Sequence, residues 1–599
     1  MNDAQEAPRW RLDQIYASLD DRSFSADTES VATDIGRIGV WFDKHRIGGG
    51  TPEETTAESA ALVVSAIERL ERVFKTQRRA RAFVHALVST DATDGKAATE
   101  QVHLVALSGS LSNLAGRLDA FIGRHNIDDL IHLDPRLGDY RHTLAKASTI
   151  AGHRMTDDEE ALALELGLDG AVAWRQMRDE IAARIPVSVA AAISSTISMP
   201  QARSLASDPR AEVRDAALAA ELEAWETNEV PMAAALNAFV GAQAKLNRRR
   251  GWPDDLAPAL FENGIDREAL EAMNAAVVGH LPHFRRFCAA KARALDRGPK
   301  LNWADLVAPL GDSREISWSS AVSTIRETFH RFSPELGSLV DRATNEGWID
   351  GEIRDGKRDG AFCVPVEGDV SRILLNFNYS HGAVQTLAHE LGHTFHNTQL
   401  ADRTEFQRRT PRALAETASI LCETIITDSL LDDSDEQDEF ALLNTDLSAA
   451  TQIVVDIHSR YLFERELYEL RKDRTVRAAE MCELMIVAQA SSYGDAIADH
   501  HRYMWAVKPH YFSPFYNTPY TFGLLFALGL VKVRRDDPER FIDRYTSLLS
   551  RTAMAPVAQL ATEFSIDLSD EGFWEAGLGR LVTRIDRFVH LAGGSPHPR

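Results

Sequence analysis

The stretch Leu387-Ala388-His389-Glu390-Leu391-Gly392-His393-Thr394-Phe395-His396 lies in an apolar run that begins at Val384, and it carries the pattern HExxH. Its spacing reads as a helix, where residues four apart stand one above the other on a single face. His389 and His393 are therefore placed to share one metal ion. Glu390 projects beside that ion, where a carboxylate can take a proton from an activated water. With 20 His among 599 residues, such a pattern arises by chance in about one chain in twenty, so it needs support from outside itself.

A catalytic zinc takes three protein ligands and leaves one position open. Extended HExxH patterns supply the third as a His six residues after the second; that position here is Gln399. His396 follows His393 too closely to serve and reads as a packing or supporting residue. Downstream of Pro411, Arg412 to Leu430 reads as a second helix, with Glu416 and Glu423 seven apart on one face. The small residues Ala415, Thr417, Ala418 and Ser419 around Glu416 would let this helix approach the HExxH helix closely. A solvated surface carboxylate is the plain alternative, but in a small, apolar helix a metal partner explains Glu416 better. The expected ligand set is His389, His393 and Glu416, holding one zinc ion; cobalt or manganese fit the same donors.

Here the sequence resembles the oligoendopeptidase F branch of the thimet-oligopeptidase-like zinc metallopeptidases. The matching stretches are LAHELGHTFH (387–396), LAETASILCET (414–424), KRDGAFC (357–363) and ILLNFN (373–378). Weaker echoes are PRWRLDQIYASLDD (8–21), LFENGIDREALEAM (260–273) and KLNWADLVAPL (300–310). The resemblance implies a mainly α fold in which two helical parts enclose a deep channel, with a small β-sheet beside a zincin-type HExxH helix. It also implies hydrolysis of short peptides, folded proteins being too large to enter. ILLNFN alternates like a strand, and its free edge is expected to pair with an extended substrate.

The resemblance also picks out Pro509 to Tyr520. Hydrolysis of a peptide creates an oxyanion that needs a hydrogen-bond donor besides the metal. The family carries a His followed by several Tyr here, which puts the His at His510 and tyrosines at Tyr516 and Tyr520. Ser513 and Thr518 stand where relatives usually have Tyr, and the prolines differ too, so the residues alone leave open which hydroxyl donates. The expected catalytic set is Glu390 as general base with His510, Tyr516 and Tyr520 as oxyanion donors. Glu423 is either a support for a ligand imidazole or a solvated helix residue.

The chain's formal net charge of −23 disfavours nucleic acid, whose phosphates need a cationic face. Arg78-Arg79-Ala80-Arg81 and Arg248-Arg249-Arg250 are isolated basic clusters, and Asp432 to Glu436 reads as an acidic exposed loop. The cysteines Cys288, Cys363, Cys422 and Cys482 form no CxxC pair and no disulfide framework. No export segment opens the chain, and its most apolar stretch, Phe522 to Val531, is too short to span a bilayer. A cytoplasmic monomer or homodimer acting on peptides, away from membranes, is expected. Helical patterns cover Glu58 to His85 and Thr99 to Ile122, with interruptions at Gly48 to Pro52 and Gly167 to Gly170. Pro186 to Pro200 reads as a strand-bearing junction. The expected domains are 1–200, helical, and 201–599, catalytic, with a zincin core at about 340–430 and the His/Tyr segment at 509–520. The tail Gly593 to Pro596 reads as disordered. Rival functions are an exopeptidase of the same fold, a catalytically inactive peptide-binding protein and a structural zinc protein. Intact Glu390 argues against the second, and the open two-His, one-Glu ligand set against the third.

Overall fold

The computed structural model describes residues 6–189, 196–311 and 314–594. Helices dominate, accompanied by two small sheets. The chain gathers into two compact units, each threaded from three stretches. The first takes the residues up to Arg154, Glu315–Ser429 and Val533–Ser565; the second takes Met155–Arg314, Leu430–Lys532 and the chain from Ile566 on.

In the first unit the helical patterns near the start become the helices Ala57–Thr90 and Gly95–Ile122. The first runs on at its end to Thr90 and the second begins earlier, at Gly95, than periodicity suggests, and both starts are fixed by caps. Thr56 and Ser59 form a capping box at one, and Asp94 accepts the N–H groups of Lys96 and Ala97 at the other. Val63, Ile67 and Leu70 of the first helix share a buried core with Leu111, Leu118 and Phe121 of the second. Gly48 to Pro52 lies in the break before Ala57, as its turn residues predict.

The second unit holds the helices Asp157–Gly167 and Ala173–Arg184. The interruption expected at Gly167 to Gly170 is a wide π turn, Leu168–Val172, in which Gly170 leaves helical geometry at φ −99°, ψ −105°. Strands β1 (Pro186–Ser188) and β2 (Thr196–Ser198) then pair antiparallel. Residues 190–195 between them lie outside the described residues. Phe522 to Val531 is buried within the helix Thr518–Asp536, and no described helix is long and apolar enough to cross a membrane. The tail expectation needs correction in part. Gly593 and Gly594 close the helix Glu571–Gly594, because buried packing continues through Phe588 and Leu591. Ser595 and Pro596 lie outside the described residues.

The sheet that positions the site is in the first unit. Its strands β3 (Ile349–Asp350), β4 (Phe362–Glu367) and β5 (Val370–Leu374) run in the order β3-β5-β4. β5 pairs parallel with β3 and antiparallel with β4. The sequence reading gave the free edge to ILLNFN, and this is corrected: that segment supplies the end of the central strand. Beyond it, Leu375 and Phe377 donate to Asp350 and Gly351 at 3.0 and 2.9 Å. β3 and β4 are the two edge strands, and among the described residues no strand pairs with the outer side of β4. Pro365 sits on it, as suits a residue with no N–H to give. Lys357 of the KRDGAFC stretch explains its own place: its buried ammonium donates to the carbonyls of Glu352 and Leu375 at 2.8 and 2.7 Å and pairs with buried Asp350 at 2.8 Å. One side chain thus ties the loop before β4 to the end of β5.

Candidate metal centre

The helix His381–Gln399 starts where Ser380 accepts the N–H of Ala383 at 3.2 Å. Its two motif imidazoles have ring centres 5.0 Å apart. The second helix is interrupted where the sequence reading ran it through: a short turn, Arg412–Ala415, ends at Glu416, and Thr417–Asp432 follows. At φ −93°, ψ 0° Glu416 is not helical, and Ser419 Oγ donates to its Oε2 at 2.9 Å. The two helices meet at Gly392. A Cβ there would stand 2.6 Å from both Ala418 O and Ser419 Cα, closer than any side chain allows. Gln385 Nε2 donates to Thr427 Oγ1 at 2.8 Å and ties the pair together farther along.

This packing brings together all three expected ligands. Glu416 Oε2 lies 3.2 Å from His389 Nε2 and 3.3 Å from His393 Nε2. The three donor atoms lie within 4.8 Å of one another. A tetrahedral zinc with bonds of ~2.0–2.1 Å separates its ligand atoms by about 3.3 Å. The two nitrogen–oxygen distances therefore fit that ion, and the donor set is of the kind that leaves a position open. The electrostatics fit it too. Burial pulls His389 down, but hydrogen bonds to Glu416 and Glu423 and their charges win, raising the imidazole. Burial works against ionised Glu416, yet the two histidines hold it far below the usual carboxylate range.

The groups around the triad sort by contact. Glu423 Oε2 lies 2.9 Å from His389 Nδ1, the contact that a residue supporting that imidazole would make. Glu390 is 5% exposed, and its Oε2 is buried with no hydrogen-bond partner among the described residues. Burial raises its pKa, offset in part by His393 and His389. A carboxyl so placed is suited to taking and returning a proton. His396 turns elsewhere: its Nε2 lies 3.1 Å from Thr552 Oγ1, and burial brings its pKa down to about 4.

His510, Tyr516 and Tyr520 form a cluster in the second unit. His510 lies in the turn Pro509–Phe512 with its ring stacked on Tyr516, centres 5.1 Å apart at 17°. Tyr520 donates its hydroxyl proton to Tyr516 Oη at 3.4 Å. Burial first, then the charges of Arg460, Lys508 and Arg178, push His510 down to about 4. Near neutral pH the imidazole is uncharged and keeps one N–H to donate. Phe515, between them, has φ +48°, a conformation costly for a residue with a Cβ. It is held by buried Glu464, which accepts its N–H at 2.7 Å.

The residues that sequence reasoning missed lie behind this cluster. Arg460 donates to Asn517 Oδ1 at 3.1 Å and pairs with buried Asp456, and its charge is one of those that lower His510. Asp456, Arg460 and Glu464 fall at four-residue spacing, which aligns them on one face of the chain feeding the helix Ile457–Asp473. That charged face was the available signal.

A helix carrying HExxH, faced by a Glu at the start of a second helix beside a small sheet, is an arrangement used by metallopeptidases. Residues 322–580 match the family model described as peptidase family M3, and residues 122–186 match that of oligopeptidase F. The chain belongs to peptidase family M3, in its oligoendopeptidase F branch. It is 25% identical over 401 residues to the chromosomal oligoendopeptidase F of Lactococcus lactis subsp. cremoris, covering 65% of this chain and 66% of that protein. The match thus spans just under two thirds of that relative's length. The structure of a putative peptidase from Chlamydophila abortus superposes with a TM-score of 0.81 at 19% identity, covering 98% of this chain and 100% of that one. Oligoendopeptidase F from Enterococcus faecium gives 0.70 at 17% identity, covering 98% and 100%. At those identities the likeness carries the fold.

Proposed function

We propose that this protein is a zinc-dependent endopeptidase that hydrolyses short, unstructured peptides. The observation that carries the reading is the convergence of His389, His393 and Glu416 beside the unpartnered carboxylate oxygen of Glu390. The three ligands would hold the zinc, which supplies Lewis acidity toward a carbonyl and toward water. Glu423 fixes the orientation of His389 through Nδ1, leaving Nε2 for the ion. Glu390 takes the proton of the attacking water and passes it to the leaving amine. His510 donates its N–H, and Tyr516 and Tyr520 their hydroxyl protons, to the oxyanion of the tetrahedral adduct. The reading makes the protein a cytoplasmic enzyme, monomer or homodimer, whose partners are peptides rather than nucleic acid or membrane.

The test is cleavage of internally quenched peptides of graded length by wild type and Glu390→Gln, with the metal content of both measured. One zinc in each, and internal cleavage of short peptides by wild type alone, is the expected result. Products released one or two residues at a time would make the protein an exopeptidase. Bound zinc with equal inertness in both proteins would leave a peptide-binding protein.

A further inference from the structure

The first unit contains a cavity of about 520 Å³ that none of the assigned residues occupies. One wall is Phe362 to Pro365 of β4; the other is formed by the helices Ala57–Thr90 and Gly95–Ile122. Its volume is that of a site for a small ligand or a large side chain. The wall is mostly apolar, with Phe74, Leu104, Val105, Phe362 and Val364 among its residues, and Val105 is 59% exposed. A wet apolar surface of this kind gains free energy when an apolar group covers it.

We propose that this cavity is a side-chain-binding site for the substrate peptide, taking a bulky apolar residue while Arg81 at its rim meets a carboxylate on the same peptide. The inference rests on the endopeptidase reading and adds its substrate class. The strand is the first reason. β4 is paired on one side by β5 and open on the other among the described residues, so an extended peptide can add to it through backbone hydrogen bonds. Alternate side chains of such a peptide then enter whatever pocket borders the edge.

Proximity to the reacting centre is the second reason. Cys363 Sγ lies 3.3 Å from Thr394 Oγ1, and that hydroxyl donates to the carbonyl of Glu390 at 3.0 Å. β4 thus touches the HExxH helix one turn after Glu390, and a peptide lying along β4 would run beside that helix.

Charge is the third. Arg78 is paired with Glu405 at 3.2 Å. Arg81 lines the same cavity, is exposed, and makes no ion pair or hydrogen bond among the described residues. In a chain of net charge −23, a guanidinium left over at the mouth of an apolar pocket selects for an anionic group on the ligand.

The experiment uses the zinc-loaded full chain and a quenched-peptide library varied one position at a time. Two variants at exposed positions, Val105→Trp across the mouth and Arg81→Glu at the rim, leave the fold intact. Wild type is expected to favour Phe or Leu over Ala by about tenfold in kcat/KM at one position. Val105→Trp should erase that preference, bringing kcat/KM for the Phe and Leu peptides down to that for the Ala peptides. Arg81→Glu should reverse a preference for Asp or Glu over Lys at one position. Cleavage by wild type with both preferences intact in both variants overturns the pocket and spares the endopeptidase reading. If wild type cleaves nothing, that reading falls, and binding of a labelled Phe-containing peptide decides the pocket separately. At least tenfold weaker binding to Val105→Trp than to wild type supports the site, and equal binding overturns it.

Discussion

The metal cluster of the first unit and the His510 cluster of the second are built by opposite means. At the first, charge is concentrated: two carboxylates face one imidazole, and the helices are drawn together by Gly392 against the backbone of Ala418 and Ser419. At the second, charge is removed: burial and three nearby cations keep His510 neutral, its ring stacks on Tyr516, and Tyr520 packs against Tyr516 at 59°. The contrast teaches what each is prepared for. One is poised to hold a cation, the other to offer protons without giving up charge.

Breaking the first cluster should do the most damage. Glu416→Ala removes a ligand and leaves two imidazoles around an incomplete site. Zinc content and activity should both fall, activity by more than the ~10²–10³-fold that a lost oxyanion donor costs. Metal analysis of the purified variant, paired with a peptide assay, checks it; full zinc content would contradict the ligand assignment. His510→Ala should sharpen the contrast. A loss of ~10²–10³-fold in kcat with unchanged zinc is expected, and a fall in zinc content would mean the second cluster does something other than donate.

The two clusters were not equally legible in the sequence. His389, Glu390 and His393 announce themselves because helical geometry converts a spacing of four into a shared face. Glu416 was reachable because one carboxylate stood out among small residues. What the sequence hid there is geometric: the helix breaks at Glu416 itself, and no pattern in ALAETAS signals a residue at ψ 0°. The central position of β5 was hidden for a similar reason. Strand order depends on which segments pair across gaps of chain, and alternation along ILLNFN is the same for a central strand as for an edge. In the second cluster, the family match located His510, Tyr516 and Tyr520, but the turn that presents them depends on Glu464 holding Phe515 at positive φ. That contact joins residues 51 apart. Helical parts of the fold were legible nearly to their ends, since capping and periodicity are local.

A smaller effect distinguishes support from ligation within the first cluster. Glu423→Ala leaves all three ligands in place but frees His389 Nδ1. Zinc affinity should weaken by ~10–100-fold, as for other groups that orient a ligand imidazole, with kcat at saturating zinc largely retained. Competition against a chelator of known affinity measures it. A change equal to that of Glu416→Ala would make Glu423 a ligand, and no change would return it to the solvated reading.

The smallest expected effect comes from the turn that carries the second cluster. Burial raises the Glu464 carboxyl to about 8, the N–H of Phe515 working the other way. In an unfolded chain the same group titrates near ~4.3. Between these values the folded protein holds a proton that the unfolded chain has released, so stability falls as pH rises through this window and levels off above it. The slope is limited to about 1.4 kcal/mol per pH unit for one group. Glu464→Gln keeps an acceptor for the Phe515 N–H and removes the titration. Its melting temperature should therefore change less between pH 5 and pH 8 than that of wild type, by a few degrees at most in a chain of this size. Parallel pH dependence in the two proteins would show that Glu464 is ionised in the folded state. The strained turn would then be held by a charged acceptor rather than a neutral one, and the rule that the second cluster is assembled from uncharged groups would fail at its base.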